Sequence, residues 1–361
     1  MGQIAVLYEN EAWIAPLFAA LENEDADVVR VFANDLVFDP AGRAPDWSLA
    51  VNKVSPSSYL RGHAASIRAA RDFVPFLERR GVPVVNGSQA FALETSKARQ
   101  LALLAELGVR APAARVVTDV AQIPDAAREL RYPLIVKPNV GGSGALMRRV
   151  DSDDELSETL PTLDLGPDGT GIVQEFLETA DGSIQRVEFL DGEYLYAIKI
   201  HNESSRDFNL CPADICQTPD GEKESRATNG SAARSESGSR VTTSGWARVP
   251  TSGWADNCVV DASAKRALTI EAIDAPTEIV HDVLRIARGG GLDVGGVEYL
   301  IAARDGLPYV YDINALSNFV TEAVELVGFD PHARFARWLV GRADATGRRD
   351  AVAVATLAAT K

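Results

Sequence analysis

The stretch Leu134-Ile135-Val136-Lys137-Pro138-Asn139-Val140-Gly141-Gly142-Ser143-Gly144 combines a short apolar run, a lysine and a glycine-rich loop. The apolar run has the length of a buried strand and the glycines punctuate it, so Lys137 is expected where the strand leaves the core. Backbone N–H groups in a glycine-rich loop approach phosphate oxygens closely because no Cβ intervenes, and the lysine adds a positive charge. The pattern favours a polyphosphate-binding loop. The alternative is a plain hairpin turn with a lysine at the strand end.

Two well-known nucleotide motifs do not fit this loop. No Gly-Lys-Ser/Thr sequence closes it as in a P-loop, and Gly142 to Met147 lacks the last glycine of the dinucleotide fingerprint. The residues from Ala145 to Val150 are again strand-like rather than the opening of a helix. The loop is therefore predicted to lie between two strands.

Length and composition narrow the class of protein. The chain has 361 residues, enough for two or three lobes, with 46% hydrophobic residues, 24% charged residues and a net charge of -15. That charge argues against a nucleic-acid partner, since phosphate-backbone binding needs a basic face. No apolar run approaches the ~20 residues that span a bilayer, and the apolar residues after Met1 resemble a first strand rather than a signal peptide. We expect a cytoplasmic protein without a membrane partner. The spacing of the cysteines and histidines indicates neither a disulfide framework nor a zinc site; they are Cys211, Cys216, Cys258, His63, His201, His281 and His332.

The first 87 residues alternate strand-like and helix-like segments, which predicts a parallel sheet with helices on its faces. Ligands of such sheets bind beyond the carboxyl ends of the strands. Polar residues after strand ends are therefore candidate substrate contacts, each with a plain surface-loop alternative; they are Asn52, Ser55, Ser57, Tyr59, Arg61, Ser317 and Asn318.

From residue 88 the pattern changes. Lys97 falls in the first turn of a helix, where a cation is mildly unfavourable, so an anion nearby is one explanation and simple solvation is another. Two strand-like runs joined by Asp191-Gly192 predict a hairpin, and they carry Arg186 and Lys199. The residues from Thr218 to Ala264 are rich in Ser, Gly, Thr, Asn and Arg, and we predict that they are largely disordered without substrate.

A second predicted hairpin, turned at Asp305-Gly306, contains the other chemical signal. Strand alternation puts Asp312 and Asn314 on one face, and antiparallel pairing brings Glu298 alongside them. Like charges opposite one another repel, so the arrangement needs a cation, and hard oxygen ligands suit Mg²⁺ held together with substrate phosphates. The alternative is that one acid pairs with a basic side chain while the other faces water.

Together these elements resemble the ATP-grasp superfamily, most closely the branch of glutathione synthetase and the ribosomal-protein glutamate ligase. The resemblance runs from about Ser88 to Gly328. It implies an α/β fold of α+β lobes, with an N-terminal parallel α/β domain and two lobes that clasp ATP between antiparallel sheets. It divides the chain into residues 1–87, a central lobe at 88–177, a C-terminal lobe at 178–347 with an insert at 218–264, and a tail at 348–361. The insert matches nothing in the family pattern.

The resemblance also implies roles for individual residues. The residues expected to contact ATP are Lys97, Lys137, Gly141, Gly142, Ser143, Gly144, Gln174, Glu175, Leu177 and Asp181, with Gln174 facing the adenine and Asp181 as the ribose candidate. Arg186 and Lys199 resemble the basic residues that hold the γ-phosphate and the acyl phosphate, and Glu298, Asp312 and Asn314 resemble the metal ligands.

The activity that the resemblance implies is an ATP-dependent ligase. Such an enzyme activates a small-molecule carboxylate as an acyl phosphate for attack by an amine, and these substrates are expected to be amino acids or peptide-like. The metal is Mg²⁺ or alternatively Mn²⁺, and a homodimer is one option for the assembly. The alternatives are an ATP-grasp phosphotransferase, a thioester-forming enzyme and a nucleotide-binding regulator without turnover.

Overall fold

A computed structural model of the protein describes residues 2–142, 144–179, 181–202 and 268–359. The predicted disordered insert at 218–264 and Ser143 lie outside the described residues. Three sheets organise the described chain. In this part of the chain, no helix is both long enough and apolar enough to cross a membrane.

The N-terminal sheet is parallel, as the alternating pattern predicts. Its strand order is β2-β1-β3-β4, and the strands are β1 (Ile4–Tyr8), β2 (Val28–Phe32), β3 (Leu49–Lys53) and β4 (Val84–Val85). The helices of this region are α1 (Glu11–Asn23), whose amino end is capped by Asn10, and α2 (Ala64–Arg79). Because the strands are parallel, β1 and β3 end side by side, and the polar segments that follow them meet at one edge.

The second sheet is antiparallel and carries the glycine-rich loop. Two helices, α3 (Ser88–Glu94) and α4 (Lys97–Glu106), lead into it. Its strand order is β5-β8-β6-β7, and its strands are β5 (Ala114–Val117), β6 (Leu134–Pro138), β7 (Arg148–Val150) and β8 (Gly171–Glu175). One face packs on two short helices, α5 (Ile123–Ala127) and α6 (Asp153–Thr159). The glycine-rich loop joins β6 to β7, which confirms the predicted position between two strands.

The third sheet, also antiparallel, has the order β11-β10-β9-β12-β13. Its strands are β9 (Ser183–Leu190), β10 (Glu193–Asn202), β11 (Leu268–Ile273), β12 (Val294–Ile301) and β13 (Pro308–Asn314), and α7 (Thr277–Gly290) covers one face. Asp191 and Gly192 form a two-residue turn with φ of 55° and 74°. Positive φ at both central residues is typical of the type I′ hairpin turn, so the first predicted hairpin is confirmed.

The last two helices are α8 (Ala323–Val327) and α9 (Pro331–Ala359). α9 is helical through residue 359, so the tail that the resemblance places at 348–361 begins within this helix. Phe335 and Leu339 of α9 belong to the same hydrophobic core as Leu17 and Leu21 of α1. The first turns of α9 therefore pack against the N-terminal sheet domain.

Candidate active site

The face of the second sheet opposite its helices carries Lys137 and Gln174. The register places Gln174 opposite Ile135 and Lys137 opposite Ile172, so these four side chains share one face. The intervening residues, Val136 and Val173, point into the core of the lobe. Gln174 is buried, and within the described chain its Oε1 has no hydrogen-bond partner. A buried amide without a partner is costly unless something else supplies one, which suits a group that faces a nucleobase.

Lys137 is buried, with 4% of its surface exposed. The sequence placed its charge outside the core, and this expectation is wrong because the third sheet and α4 close over the strand end. Burial is the main reason that the pKa of Lys137 falls from 10.5 to about 7, and the neighbouring charge of Lys97 lowers it further. Asp312 and Glu298 act in the opposite direction. Two lysines and two carboxylates therefore lie close enough to one another to interact.

Lys97 is held at this point by the amino end of α4. Ser96 caps the helix by accepting a hydrogen bond from the Arg99 N–H at 3.3 Å, and the Ala98 N–H donates to Asn139 Oδ1 at 3.0 Å. The Nζ of Lys97 donates to Asp312 Oδ1 at 2.5 Å. Burial alone would lower the pKa of Lys97, but the pairing with Asp312 raises it overall. The sequence offered a nearby anion as one explanation for Lys97 and simple solvation as the other, and the structure places Asp312 beside it.

The predicted metal ligands converge as strand alternation requires. Glu298 lies opposite Asp312 and Gly296 lies opposite Asn314, so the three ligand side chains share a face. Asn314 Nδ2 donates to Glu298 Oε1 at 3.3 Å. Burial raises the pKa of Glu298, an effect that Arg186 opposes. The alternative from the sequence was that one acid pairs with a basic side chain and the other faces water. In the structure both acids have basic partners, Lys97 for Asp312 and Arg186 for Glu298.

Arg186 occupies the centre of this face. Its Nε donates to Glu188 Oε1 at 2.6 Å and its Nη1 donates to Glu298 Oε1 at 2.8 Å. Gly296 makes room for this cluster, since a Cβ at that position would stand 2.7 Å from Arg186 Nε and 2.8 Å from Glu188 Oε1. Sequence reasoning missed Glu188, although a charged residue inside an apolar strand is the kind of signal that identified Glu298.

Lys199 and Asp181 form a pair of their own. Lys199 lies opposite Gln185, and Gln185 is the neighbour of Arg186 along β9. Because neighbouring residues of a strand point to opposite faces, Lys199 projects from the face of the sheet opposite to Arg186. Its Nζ lies 2.8 Å from Asp181 Oδ2, and the hydrogen bond from Lys199 is the main reason that the pKa of Asp181 is lowered. The structure does not bring Lys199 beside Arg186.

The glycine-rich loop lies against the N-terminal domain. A Cβ at Gly141 would stand 3.4 Å from the hydroxyl oxygen of Tyr59, and one at Gly142 would stand 3.7 Å from Ser57 Cβ. Gly144 has a φ of 69°, which favours glycine. Ser57 and Tyr59, both predicted substrate contacts, therefore border the predicted phosphate loop.

The end of β8 and the residues after it, Val173 to Leu177, were predicted to hold the adenine. Glu175 is buried, its N–H donates to the Ala113 carbonyl at 2.9 Å, and its carboxylate accepts a hydrogen bond from Arg304 at 3.1 Å. Leu177 is buried in the core that includes Leu300 of β12. The segment therefore joins the two antiparallel sheets, the position that a hinge between the lobes requires.

Other predicted contacts have structural partners. Asn52 accepts a hydrogen bond from the Val54 N–H at 3.3 Å, and Ser55 Oγ lies 2.9 Å from Ser57 Oγ. Arg61 Nη1 donates to Ser57 Oγ at 3.2 Å. Sequence reasoning also passed over four charged residues that surround the site, and the charge of each within or beside an apolar run is the signal that was available; they are Glu9, Lys53, Glu94 and Glu188.

The donor set fits a hard divalent cation. Glu298, Asp312 and Asn314 offer carboxylate and amide oxygens on one face. The two carboxylates already stabilise positive charge there, since Lys97 pairs with Asp312 and Arg186 pairs with Glu298. Within the described residues, no group of three or more His, Cys, Asp or Glu side chains is placed to hold a metal. Two carboxylates and one amide provide fewer oxygens than Mg²⁺ takes, so a metal here would need oxygens from a substrate to complete its shell.

Comparison with known proteins identifies the fold. No protein-family model matches the chain. The D-alanine–D-alanine ligase of Bacillus anthracis superposes with a TM-score of 0.61 and 18% identity, over 97% of this chain and 98% of that one. The D-cycloserine synthetase DcsG superposes with a TM-score of 0.58 and 20% identity, over 95% of this chain and 100% of that one. The ATP-grasp ligase PsnB, solved with a minimal precursor, superposes with a TM-score of 0.59 and 16% identity, over 95% of this chain and 100% of that one. The protein thus has the ATP-grasp fold, as the resemblance implied.

Similarity in sequence to curated proteins covers shorter parts of the chain than the structural similarity does. The carbamoyl phosphate synthase large chain of Rubrobacter xylanophilus is 31% identical over 138 residues, 37% of this chain and 12% of that protein. The formate-dependent phosphoribosylglycinamide formyltransferase of a Synechococcus strain is 26% identical over 158 residues, 42% of this chain and 40% of that protein. The matched segments thus span less than half the length of either relative.

Proposed function

We propose that the protein is an ATP-dependent carboxylate–amine ligase that releases ADP and phosphate. The observation that carries the proposal is the convergence of Lys97, Lys137, Glu298 and Asp312, contributed by α4 and two different sheets, in a protein with the ATP-grasp fold. Fixed cations beside a pair of acids provide what phosphoryl transfer needs most, namely positioning and neutralisation of charge.

The proposed roles follow from position on the two sheets. Gln174 receives the adenine, with the backbone of Glu175 and Leu177 beside it, and Lys97 and Lys137 contact the phosphates. The loop with Gly141, Gly142, Ser143 and Gly144 covers the phosphates, and Asp181 contacts the ribose. Arg186 stabilises the transferring group. Lys199 assists only if it leaves Asp181 when the nucleotide binds.

Glu298, Asp312 and Asn314 would hold Mg²⁺, with Mn²⁺ as an alternative. When bound, the ion supplies positive charge that neutralises the β- and γ-phosphates. Lys97 and Arg186, which pair with the two carboxylates, would then turn toward the phosphates, which replace the acids as their anionic partners.

The proposed ligation proceeds in two steps. An oxygen of the substrate carboxylate forms a bond to the γ-phosphorus while the bond between that phosphorus and the bridging oxygen breaks, and ADP leaves. The amine nitrogen then forms a bond to the activated carbon, phosphate leaves, and the amine loses a proton to solvent. No histidine base is required because positioning dominates the first step.

The test is ADP release from purified protein with Mg-ATP and pooled carboxylic acids crossed with pooled amines. We expect release that depends on both an acid and an amine, and a hydroxamate when hydroxylamine replaces the amine. Lys137→Met should abolish release, whereas Arg30→Met, which removes an exposed cation of the N-terminal domain, should not. AMP and pyrophosphate as products would contradict the proposal, and so would ATP binding without release under any mixture. A cytoplasmic location and a homodimer remain predictions, as do the domain boundaries at 87, 177 and 347.

A further inference from the structure

A narrow cleft lies between the N-terminal domain and the loop that follows β13. It is lined by residues from the ends of β1 and β3, from the start of α1, and from that loop; they are Glu9, Asn10, Trp13, Ile14, Lys53, Ser55, Leu316 and Asn318. Only two of these side chains carry a charge, Glu9 and Lys53. Their bonding decides which ligand the cleft accepts.

The carboxylate of Glu9 is fully engaged. Its Oε1 lies 2.5 Å from Arg61 Nη2, and its Oε2 lies 3.1 Å from His63 Nδ1 and 3.4 Å from Arg61 Nε. The Arg61 guanidinium also stacks on Trp13, 4.2 Å from the ring centroid. Glu9 is 1% exposed. An ammonium group in the cleft would therefore find no available carboxylate there.

Lys53 is in the opposite situation. Its Nζ donates one hydrogen bond, at 2.8 Å, to the carbonyl oxygen of Ser317, and an ammonium group has three donors. Within the described residues, no acidic side chain makes a salt bridge with it; Glu188 and Glu94 act on it only from a distance. Burial lowers the pKa of Lys53 to about 8, which leaves the group mostly charged at pH 7. The amino end of α1 at Asn10 adds further positive potential to the same cleft.

The cleft is also connected to the proposed site of phosphoryl transfer. Ser317 accepts a hydrogen bond from Lys53 on its carbonyl and one from Arg186 Nη2 on its hydroxyl, the latter at 3.3 Å. Ser317 therefore links Lys53 to Arg186, and an anion bound to Lys53 would be separated from Arg186 by this one residue. Trp13, Ile14 and Leu316 contribute the apolar part of the lining.

We infer that this cleft binds the acid substrate through Lys53, and that the acid has an apolar substituent and no free ammonium group next to its carboxylate. The inference rests on the proposed function. An unmodified α-amino acid is disfavoured because its ammonium group would be buried beside a carboxylate already saturated by Arg61 and His63. The cleft is narrow, so small ligands are the appropriate probes.

Three fluorinated probes of similar size separate the possibilities. These are 4,4,4-trifluorobutyrate, its neutral amide, and the zwitterion 2-amino-4,4,4-trifluorobutyrate, each titrated at pH 7 into the full-length protein and followed by ¹⁹F NMR. We expect the simple acid to bind more tightly than the amide and the zwitterion. Lys53→Met should weaken binding of the acid by about ten- to a hundredfold, as expected for the loss of a charge-assisted hydrogen bond. Arg30→Met is the matched control and should leave binding unchanged.

ATP affinity, measured on the same proteins by titration calorimetry, keeps this inference separate from the proposed function. Unchanged ATP affinity in Lys53→Met with loss of acid binding supports the inference. Equal or tighter binding of the zwitterion, or an acid affinity that Lys53→Met leaves unchanged, overturns it while the ligase proposal stands. Failure of the wild-type protein to bind Mg-ATP would instead reject the proposed function. Lys53→Arg keeps the charge and should retain most of the acid affinity, which distinguishes lost charge from lost folding.

Discussion

Lys137 is a buried lysine beside a second lysine, and its pKa of about 7 makes its charge sensitive to the presence of phosphate. Bound ATP would favour the charged form, since an opposite charge nearby raises the pKa of a lysine. At pH 8 the free protein holds Lys137 mostly neutral, and we predict uptake of up to one proton when Mg-ATP binds. Calorimetry in two buffers of different ionisation enthalpy measures this number. Lys137→Met should lower it, and equal uptake in the two proteins would contradict the prediction.

The same shift sets the sign of a stability effect. Between pH 7 and 10.5 the unfolded chain keeps the Lys137 proton while the folded chain has lost it. Since the unfolded state binds more protons in this window, the contribution of Lys137 to the free energy of unfolding rises with pH, and it is least favourable below pH 7. Lys137→Met should make the free energy of unfolding less dependent on pH between pH 7 and 10.5.

Glu188 is predicted to act as a positioning residue for Arg186. It is 1% exposed, and only its Oε1 has a hydrogen-bond partner in the described chain. Glu188→Gln keeps the shape but removes the charge that orients the guanidinium. We expect ADP release at saturating substrate to fall by about ten- to a hundredfold, as for loss of a charged hydrogen bond, with little change in the KM for ATP. Glu193→Gln, at an exposed acid of the neighbouring strand, is the control; an equal loss there would argue against a specific role.

At the scale of the element, the β12–β13 hairpin presents Asp312 to both the proposed metal and Lys97. On the sequence alone, repulsion between Asp312 and Glu298 predicts that Asp312→Asn leaves thermal stability unchanged or slightly raised. The structure reverses the expected sign. The substitution leaves Lys97 with a diminished partner beside Lys137, at a side chain that is 12% exposed, and unpairing a buried charge is destabilising.

We therefore expect Asp312→Asn to lower the melting temperature and to abolish ADP release at ordinary Mg²⁺. Thermal unfolding with and without Mg-ATP measures both effects, and Asp305→Asn in the exposed turn of the same hairpin is the control. Normal turnover by the folded fraction of Asp312→Asn would remove Asp312 from the metal site.

At the scale of the whole molecule, α9 packs on the N-terminal domain although it lies more than 300 residues after α1 in the sequence. Leu339 is fully buried within a core shared with α1 and β1. Leu339→Ala should destabilise this core by about 2–5 kcal/mol, the usual range for such truncations. Hydrogen exchange should show faster exchange in β1 and α1, more than 300 residues away in the sequence, and less change in β6 and β8. Val324→Ala, at an exposed residue, is the control, and acceleration confined to α9 would contradict the shared core.

Local sequence was enough to predict several features of the site. The run that ends in Lys137 forms a strand because its apolar residues alternate between a core and a second face, and Asp191-Gly192 turns a hairpin because both residues accept positive φ. Glu298, Asp312 and Asn314 share a face because the strand period is two. These features depend on near neighbours in the chain, and so the pattern of residue types determined them.

Contacts between distant segments could not be predicted in this way. Only the folded protein pairs Lys97 with Asp312, 215 residues apart, and Lys53 with Ser317, 264 residues apart. The burial of Lys137 and the saturation of Glu9 by Arg61 and His63 likewise follow from how the lobes pack. The sequence by itself determined the strands, the turns and the face on which each candidate ligand lies, because hydrogen-bonding geometry and side-chain period are local. The tertiary structure decided which charges neutralise one another and how deeply they are buried, because charge interactions and desolvation depend on distance in space.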